Sequence, residues 1–400
     1  MLFLFSLIIS SKNRKGNYFK EKQNFIFIIS SILLIFTTLL SSLNNLNSGL
    51  EKFDPKLTWI GLLNWIPFFY CLWGFQPYLK TTKSRRNTIK YLVCGSIPLI
   101  ITGLGQYWFN WYGPFKFLNG LIIWFQRPLT DGDGLTGLFN NANYAGLWLT
   151  MIFPFIITPL LTQKNRARRN FLNLLIGSLF LISIYLTKSR NSLLGTILSS
   201  QILILNKYFL IITFFLILIL VFLILVANLS IFPDNLRILA VNLLPNYLLD
   251  QFKDISFHIE AYPRLIIIRD TLGFILERPL IGWGSATFQL LYYSKHNVWY
   301  GHTHNIVLEL ILNYGILSAS FILFGIISIT IKSFQEINIL QKFDNEISKV
   351  DPYDRAWFIS FSVILFSQLF DIQYYDFRIS MIFWILLSGL SCTYKYKKLT

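Results

Sequence analysis

Charge is scarce in this chain. Only 14% of its 400 residues are Asp, Glu, Lys or Arg, whereas a soluble domain carries about 25%. A cytosolic enzyme with a solvated surface is excluded on that ground. Disorder is excluded as well, because it needs low hydrophobicity and here 54% of residues are apolar. Acid is scarcer than base: 19 Asp and Glu stand against 35 Lys and Arg, a net charge of +16. In a soluble protein such an excess points to nucleic acid; in a membrane protein it gathers in cytoplasmic loops. The three cysteines, Cys71, Cys94 and Cys392, lie in apolar stretches and offer neither a disulfide framework nor zinc spacing. There is no Gly-rich nucleotide loop, no internal repeat and no low-complexity linker, so residues 1–400 read as a single membrane domain.

Long apolar runs are abundant. A membrane-crossing helix needs about 20 mostly apolar residues, and Phe25–Leu43 and Tyr208–Ala227 carry no charge at all. Comparable stretches occur at 57–75, 88–105, 142–162, 171–187, 191–205, 306–331, 356–372 and 378–394. The expected fold class is an all-α polytopic membrane protein with about 10 (10–12) transmembrane helices. Met1–Ser10 is apolar but too short to cross alone, and it lacks the basic start of a signal peptide. Placing residues 11–23 inside puts 22 of the 35 basic residues on the cytoplasmic side and 13 outside. The short basic loops Lys80–Lys90 and Gln163–Arg169 both fall inside, as the positive-inside rule requires. The orientation expected is therefore both termini cytoplasmic. On this sorting the net charge is an orientation signal, and no nucleic-acid partner is expected.

Two outer segments are long. The first, 106–141, opens with the aromatic run Gln106–Gln126, which suits either an interfacial belt or a rim touching lipid or sugar. It continues into DGDGLTGLFNNANYAG at 131–146, where Asp131 and Asp133 sit among glycines and read as a turn. The second, 228–305, holds all four histidines, His258, His296, His302 and His304, with Arg264, Arg269 and Arg278. A structureless loop of that length is improbable, so short helices over the outer face are expected, for example Pro263–Glu277. His302, His304 and Asn305 end this loop at the mouth of a span. The histidine pair can be read three ways. It can be a structural pair, two ligands of a metal completed by Asp254, Glu260 or Asp270, or a source of a general base titrating near neutrality. Between two further spans, LTKSRNSLLG (186–195) places Lys188 and Arg190 in a tight outer turn. Arg190 opens an apolar helix, where the positive end of the helix dipole favours an anion. A guanidinium beside it makes a phosphate seat, because its planar fork binds two oxygens at once.

These patches together resemble the O-antigen ligase family of integral-membrane glycosyltransferases, which includes O-antigen polymerases, in a cyanobacterial-type member. The likeness lies in TGLFNNANYAG (136–146), in SRNSLLG with Arg190 and Leu194, in YPRLIIIRDTLGFILERPLIGWGSATF (262–288), in His304 and Asn305 followed by Gly315, and in FDIQYYDFRISMIFWILLSGL (370–390). The position three residues after Gly315, often Gly, Thr or Tyr in the family, is Ser318 here. The resemblance implies a donor glycan on undecaprenyl pyrophosphate and an acceptor hydroxyl on a lipid A–core sugar or a growing glycan. Transfer would occur at the periplasmic face among membrane lipids. It implies Arg190 and Arg264 as the cations that neutralise the leaving pyrophosphate, and His304 as general base. Lys188, Arg269, His302 and Asn305 follow as substrate-binding candidates. No metal and no cofactor are implied, and the product would have inverted anomeric configuration.

An inorganic-carbon or other small-solute transporter is the competing reading. Transporters place binding groups near the bilayer midplane on broken helices, and intramembrane charge is their mark. Here most spans carry none, and Glu309 and Asp371 lie near the outer ends of theirs, which favours chemistry at the outer face.

Overall fold

The computed structural model describes residue 18 and residues 21–46, 53–162, 167–204, 207–228, 232–244, 263–337 and 351–396. The chain is an all-α bundle. It opens with α1 (Lys22–Leu46). A broken span follows: α2 (Pro55–Ile60), a 3₁₀ turn at Gly61–Asn64, and α3 (Ile66–Gly74). After the short α4 (Gln76–Leu79) comes α5 (Thr82–Phe109). Two three-residue strands, β1 (Phe115–Phe117) and β2 (Ile122–Trp124), pair antiparallel before α6 (Ala142–Thr162). Then come α7 (Ala167–Leu186), α8 (Arg190–Ile204) and α9 (Lys207–Asn228). The short helices α10 (Asp234–Leu243), α11 (Pro263–Glu277) and α12 (Phe288–His296) precede α13 (Ile306–Ile337), α14 (Pro352–Ser367) and α15 (Phe377–Lys395).

Helices occupy all ten of the expected spans. Among the described residues, six are long and apolar enough to cross a membrane: Lys22–Leu46, Pro55–Gly74, Thr82–Phe109, Ala142–Thr162, Ile306–Ile337 and Phe377–Lys395. The other four stretches, α7, α8, α9 and α14, fall short of that standard over their described residues. The helix expected at Pro263–Glu277 is α11 with those same bounds. His258, Asp254 and Glu260 lie outside the described residues.

Helix ends are set locally. Asp54, Asp351 and Asp376 each accept a hydrogen bond from the backbone two residues on, at the starts of α2, α14 and α15. Thr81 and Ser84 form a reciprocal capping box on α5. Such caps satisfy amides that a helix start leaves open. In the interior, α6 packs against α7, α8 and α14, while α13 packs against α1 and α15. Small residues allow the close approaches. A Cβ on Gly389 would lie 2.6 Å from the Trp357 ring, and one on Gly325 would lie 2.8 Å from Phe27. At the end of the bundle that carries the starts of α5 and α14, Arg85 forks onto Asp354 with N···O distances of 2.7 and 2.6 Å. This guanidinium is buried, so one residue counted above as an orientation signal is also a structural clamp.

The aromatic outer run contains a hairpin, which helical periodicity does not foretell. Alternation in Phe115–Phe117 and the β-branched Ile122 and Ile123 favour strands. Two glutamines tie its base down. Gln126 donates to the carbonyls of Thr102 and Trp111, and Gln106 donates to Arg127 O and Thr136 Oγ1. The Asp131–Asp133 segment is a turn, as read: Asp133 accepts from Thr130 N and Oγ1 and pairs with Arg127 at 3.2 Å.

Helix α13 is broken at Gly315, where φ is 77°. The loop Pro279–Gly284 fills the break. Trp283 N and Gly284 N donate to Leu312 O and Asn313 O, and Ile316 N donates to Pro279 O. The backbones lie so close that a Cβ on Gly315 would sit 2.0 Å from Leu280 O. The Pro-Leu-x-Gly-x-Gly run and Gly315 are thus two halves of one packing device. Arg278 locks it further, stacking on Trp283 at 3.7 Å and donating to Asn45.

Candidate active site

The end of the bundle opposite the Arg85–Asp354 pair gathers the starts of α6, α8, α13 and α15 and the end of α14. The turn Gly301–Asn305 leads into α13 there. Asn305 caps that helix, its Oδ1 accepting from Val307 N and Leu308 N at 3.0 and 3.1 Å. Its Nδ2 donates to Leu369 O, and Ile306 N donates to Gln368 O, so the turn is docked on the segment after α14. Asn305, a candidate for substrate contact, is therefore engaged in shaping the site. Glu309, buried one turn into α13, reaches back to accept from Thr303 N at 3.0 Å.

Held in this way, His304 adopts a left-handed backbone with φ 57°, sparsely populated for a non-glycine residue. Its Nδ1 lies 3.0 Å from Asp371 Oδ1. Asp371 also accepts from Ile372 N at 3.0 Å and from Asn143 Nδ2 at 2.9 Å. Burial pushes the Asp371 carboxyl up. The hydrogen bond and charge of His304, the charge of His302 and the Asn143 hydrogen bond outweigh it, and the carboxyl ends below the usual carboxylate value. An ionised Asp371 is acceptor-only, so neutral His304 carries its proton on Nδ1 and keeps a lone pair on Nε2. That is the form of a general base with an orienting carboxylate.

His302 plays a different part. Its Nδ1 accepts from His304 N at 3.2 Å, which puts the proton of the neutral ring on Nε2, 3.9 Å from Asp371. Burial lowers its pKa. His304 and Arg264 push the same way and Asp371 opposes them, for a net depression. His302 is thereby held neutral as a prop for the left-handed turn. His302, His304 and Asp371 also present ligand atoms within 4.8 Å of one another, the spacing of a cation site. In the tautomers just described, however, His304 Nδ1 and His302 Nε2 carry protons, and both rings would have to exchange them to ligate.

Arg264 lies in the first turn of α11, exposed, with its charge felt at His302. Arg190 is the first residue of α8 and exposed; its neighbour Asn191 donates to Ser367 Oγ at 2.6 Å, four residues before Asp371. The structure therefore brings His302, His304 and Asn305 together around Asp371, sets Arg264 within electrostatic reach, and anchors the Arg190 helix start on the same segment. Two second-rank cations are engaged elsewhere. Lys188 donates to Gly132 O at 3.0 Å. Arg269 lies 3.5 Å from Asp270, which also binds Lys295 and His296.

Sequence reasoning missed Asp371 as the partner of His304, and Asn143 as a partner of Asp371. The signal available was compositional: Asp371 is an acid at the outer end of a nearly uncharged span. The run NNAN divides its labour. Asn140 binds the Phe125 and Arg127 backbone, Asn141 caps α6, and Asn143 reaches Asp371.

The fold and these residues define a polytopic membrane protein with a histidine–carboxylate pair and arginines at one end of its helix bundle. Residues 175–323, a little over a third of the chain, match the family model described as O-antigen ligase, which supports the resemblance to the O-antigen ligase/polymerase family. The matched segment contains Arg190, Arg264, His302, His304 and Asn305 and stops before Asp371. No curated protein matches the chain.

Proposed function

We propose that this protein transfers a glycan from an undecaprenyl-pyrophosphate donor to an acceptor hydroxyl, on lipid A–core or a growing glycan, at the periplasmic face of the inner membrane. The observation that carries this reading is the His304–Asp371 bond, which leaves Nε2 basic on the end of the bundle that also bears Arg190 and Arg264. The acceptor oxygen attacks the anomeric carbon while His304 Nε2 takes its proton. The bond from that carbon to the pyrophosphate oxygen breaks, and the electron pair leaves on undecaprenyl pyrophosphate. Direct displacement inverts the anomeric centre. Arg264 and Arg190 stabilise the charge that develops on the leaving group, which is electrostatic catalysis by fixed cations, and this is why no metal is invoked. On the same reading both termini are cytoplasmic.

A transport reading draws on the break in α13, since broken helices hold ions in transporters. Here the carbonyls freed at the break accept from Trp283 and Gly284, so they are not offered to an ion. The deciding experiment reconstitutes the purified protein with a polyprenyl-pyrophosphate glycan and separate acceptors. Formation of a glycosylated acceptor supports transfer, and which acceptor reacts separates ligase from polymerase. Solute uptake by proteoliposomes without transfer would reverse the choice.

A further inference from the structure

A cavity of about 260 Å³ opens at the end of the bundle opposite His304, between α5, α6, α7 and α14. Its walls are apolar: Ile89, Val93, Phe155, Ile156, Pro159 and Ile176. Its polar groups are few, with Arg86 and Lys90 on α5 and Asn173 on α7 among them. Arg86 and Lys90 are four residues apart and so share one helix face. At 1.5 Å per residue the 28-residue α5 is about 42 Å long, against a hydrocarbon core of about 30 Å. The surplus of about 12 Å equals eight residues, the distance from the start of α5 to Lys90, so with the surplus at this end both cations reach headgroup depth.

The cations are only partly used. Arg86 binds Asp351 through Nη2 at 2.6 Å and stacks on Tyr353 at 4.4 Å, but its Nε is buried with no hydrogen-bond partner. Lys90 is exposed and has no carboxylate partner among the described residues. Cations above an apolar slot between membrane helices match one ligand chemistry: a phosphate diester carrying an acyl chain. We propose that this cavity binds an anionic phospholipid, its phosphate against Arg86 and Lys90 and its chain between α6 and α7. The site is separate from the outer-face chemistry and holds whether or not the transfer reading does.

The chain carries its own reporter. Cys94 is exposed and lines the cavity, whereas Cys71 and Cys392 are buried. The full-length protein in detergent is alkylated with a maleimide, and the rate at Cys94 is read by peptide mass spectrometry. Three additions are compared: dioleoyl-phosphatidylglycerol, dioleoyl-phosphatidylcholine and inorganic phosphate. A basic side chain near an anionic surface is worth about a fivefold preference. Phosphatidylglycerol is therefore expected to slow Cys94 labelling about fivefold more than phosphatidylcholine, with phosphate alone inert. Lys90→Ala, which leaves the Arg86–Asp351 pair intact, should bring the two lipids level. Equal protection of the wild type by both lipids, protection by phosphate alone, or no protection by any of the three would each overturn the proposal.

Discussion

His304 and Asp371 are joined at 3.0 Å across 67 residues of chain, one at the start of α13 and the other between α14 and α15. The contact fixes a tautomer, and with it which nitrogen of His304 can take a proton. Asp371→Asn keeps the shape but replaces an acceptor-only carboxylate with an amide that can also donate, so the proton is no longer fixed on Nδ1. On the proposed reaction kcat should fall by roughly 10²- to 10⁴-fold, the range of a positioned general base. KM for the lipid donor should stay close to its original value. Steady-state transfer with the reconstituted protein measures both, and a variant with near-normal kcat would remove His304 from the base role.

Acid should weaken the site through His302. Its pKa is depressed in the folded protein, first by burial, so below about pH 6.5 the unfolded chain takes up this proton more readily than the folded one. Stability conferred by neutral His302 is full above that pH and declines as pH falls towards the depressed value. The lowered pKa of Asp371 acts in the same direction, but only nearer pH 4 and below. His302→Gln should thus narrow the difference in Tm between pH 7.5 and pH 5.5. An undiminished difference would show that other groups set the acid limit.

Much of this was legible in the chain itself. Hydropathy located helical segments at all ten expected stretches, six of them long and apolar enough to cross a membrane among the described residues, because a lipid-facing or buried helix needs apolar residues over its whole length. Pro263 marked the start of α11, since proline suits a first helical turn. Three features were not legible, each because it depends on a distant partner. The break at Gly315 interrupts a pattern that stays apolar on both sides, and the demand for glycine comes from the Leu280 backbone. The hairpin at Phe115–Trp124 hides in a run whose aromatic content reads as an interfacial belt. Asp371 is one acid among several, and only folding shows that it faces His304 rather than solvent.

The two glycines 301 and 315 should respond very differently to alanine. At Gly315 the new Cβ meets a left-handed φ of 77° and a carbonyl oxygen 2.0 Å away. With ψ at 164° this backbone is one that only glycine adopts freely; holding alanine there costs about 1–3 kcal/mol, and the clash adds to it. Gly315→Ala should lower Tm by several degrees and reduce the yield of folded protein. A Cβ on Gly301 meets nothing within 4 Å, so Gly301→Ala should leave Tm within about a degree, as for a neutral surface change. Fluorescence-detected thermal unfolding in detergent compares them directly.

Charge and shape at Arg264 can be separated. If it neutralises the leaving pyrophosphate, Arg264→Ala should cost about 10²- to 10³-fold in kcat, as for loss of one transition-state donor. Arg264→Lys keeps a point charge but loses the two-oxygen fork and should fall between the two. Arg190→Ala should behave like Arg264→Ala. By contrast Arg269→Ala, whose side chain is turned to Asp270, should leave kcat nearly unchanged. A loss at Arg269 as large as at Arg264 would argue against the assignment of the anion seat.

Metal dependence tests the tautomers as well as the chemistry. With His304 Nδ1 and His302 Nε2 both protonated, the His302–His304–Asp371 cluster offers a cation a single ready ligand, the carboxylate, and a stable site needs more. The cation's task at the pyrophosphate falls to Arg264 and Arg190 in the proposed mechanism. Transfer should therefore proceed at an unchanged rate after exhaustive treatment with a chelator, and added magnesium, manganese or zinc should not raise it. Activity lost to the chelator and restored by one of these ions would instead mean that the two histidines exchange their protons to ligate it. The same result would turn Asp371 from the orienter of a base into a metal ligand.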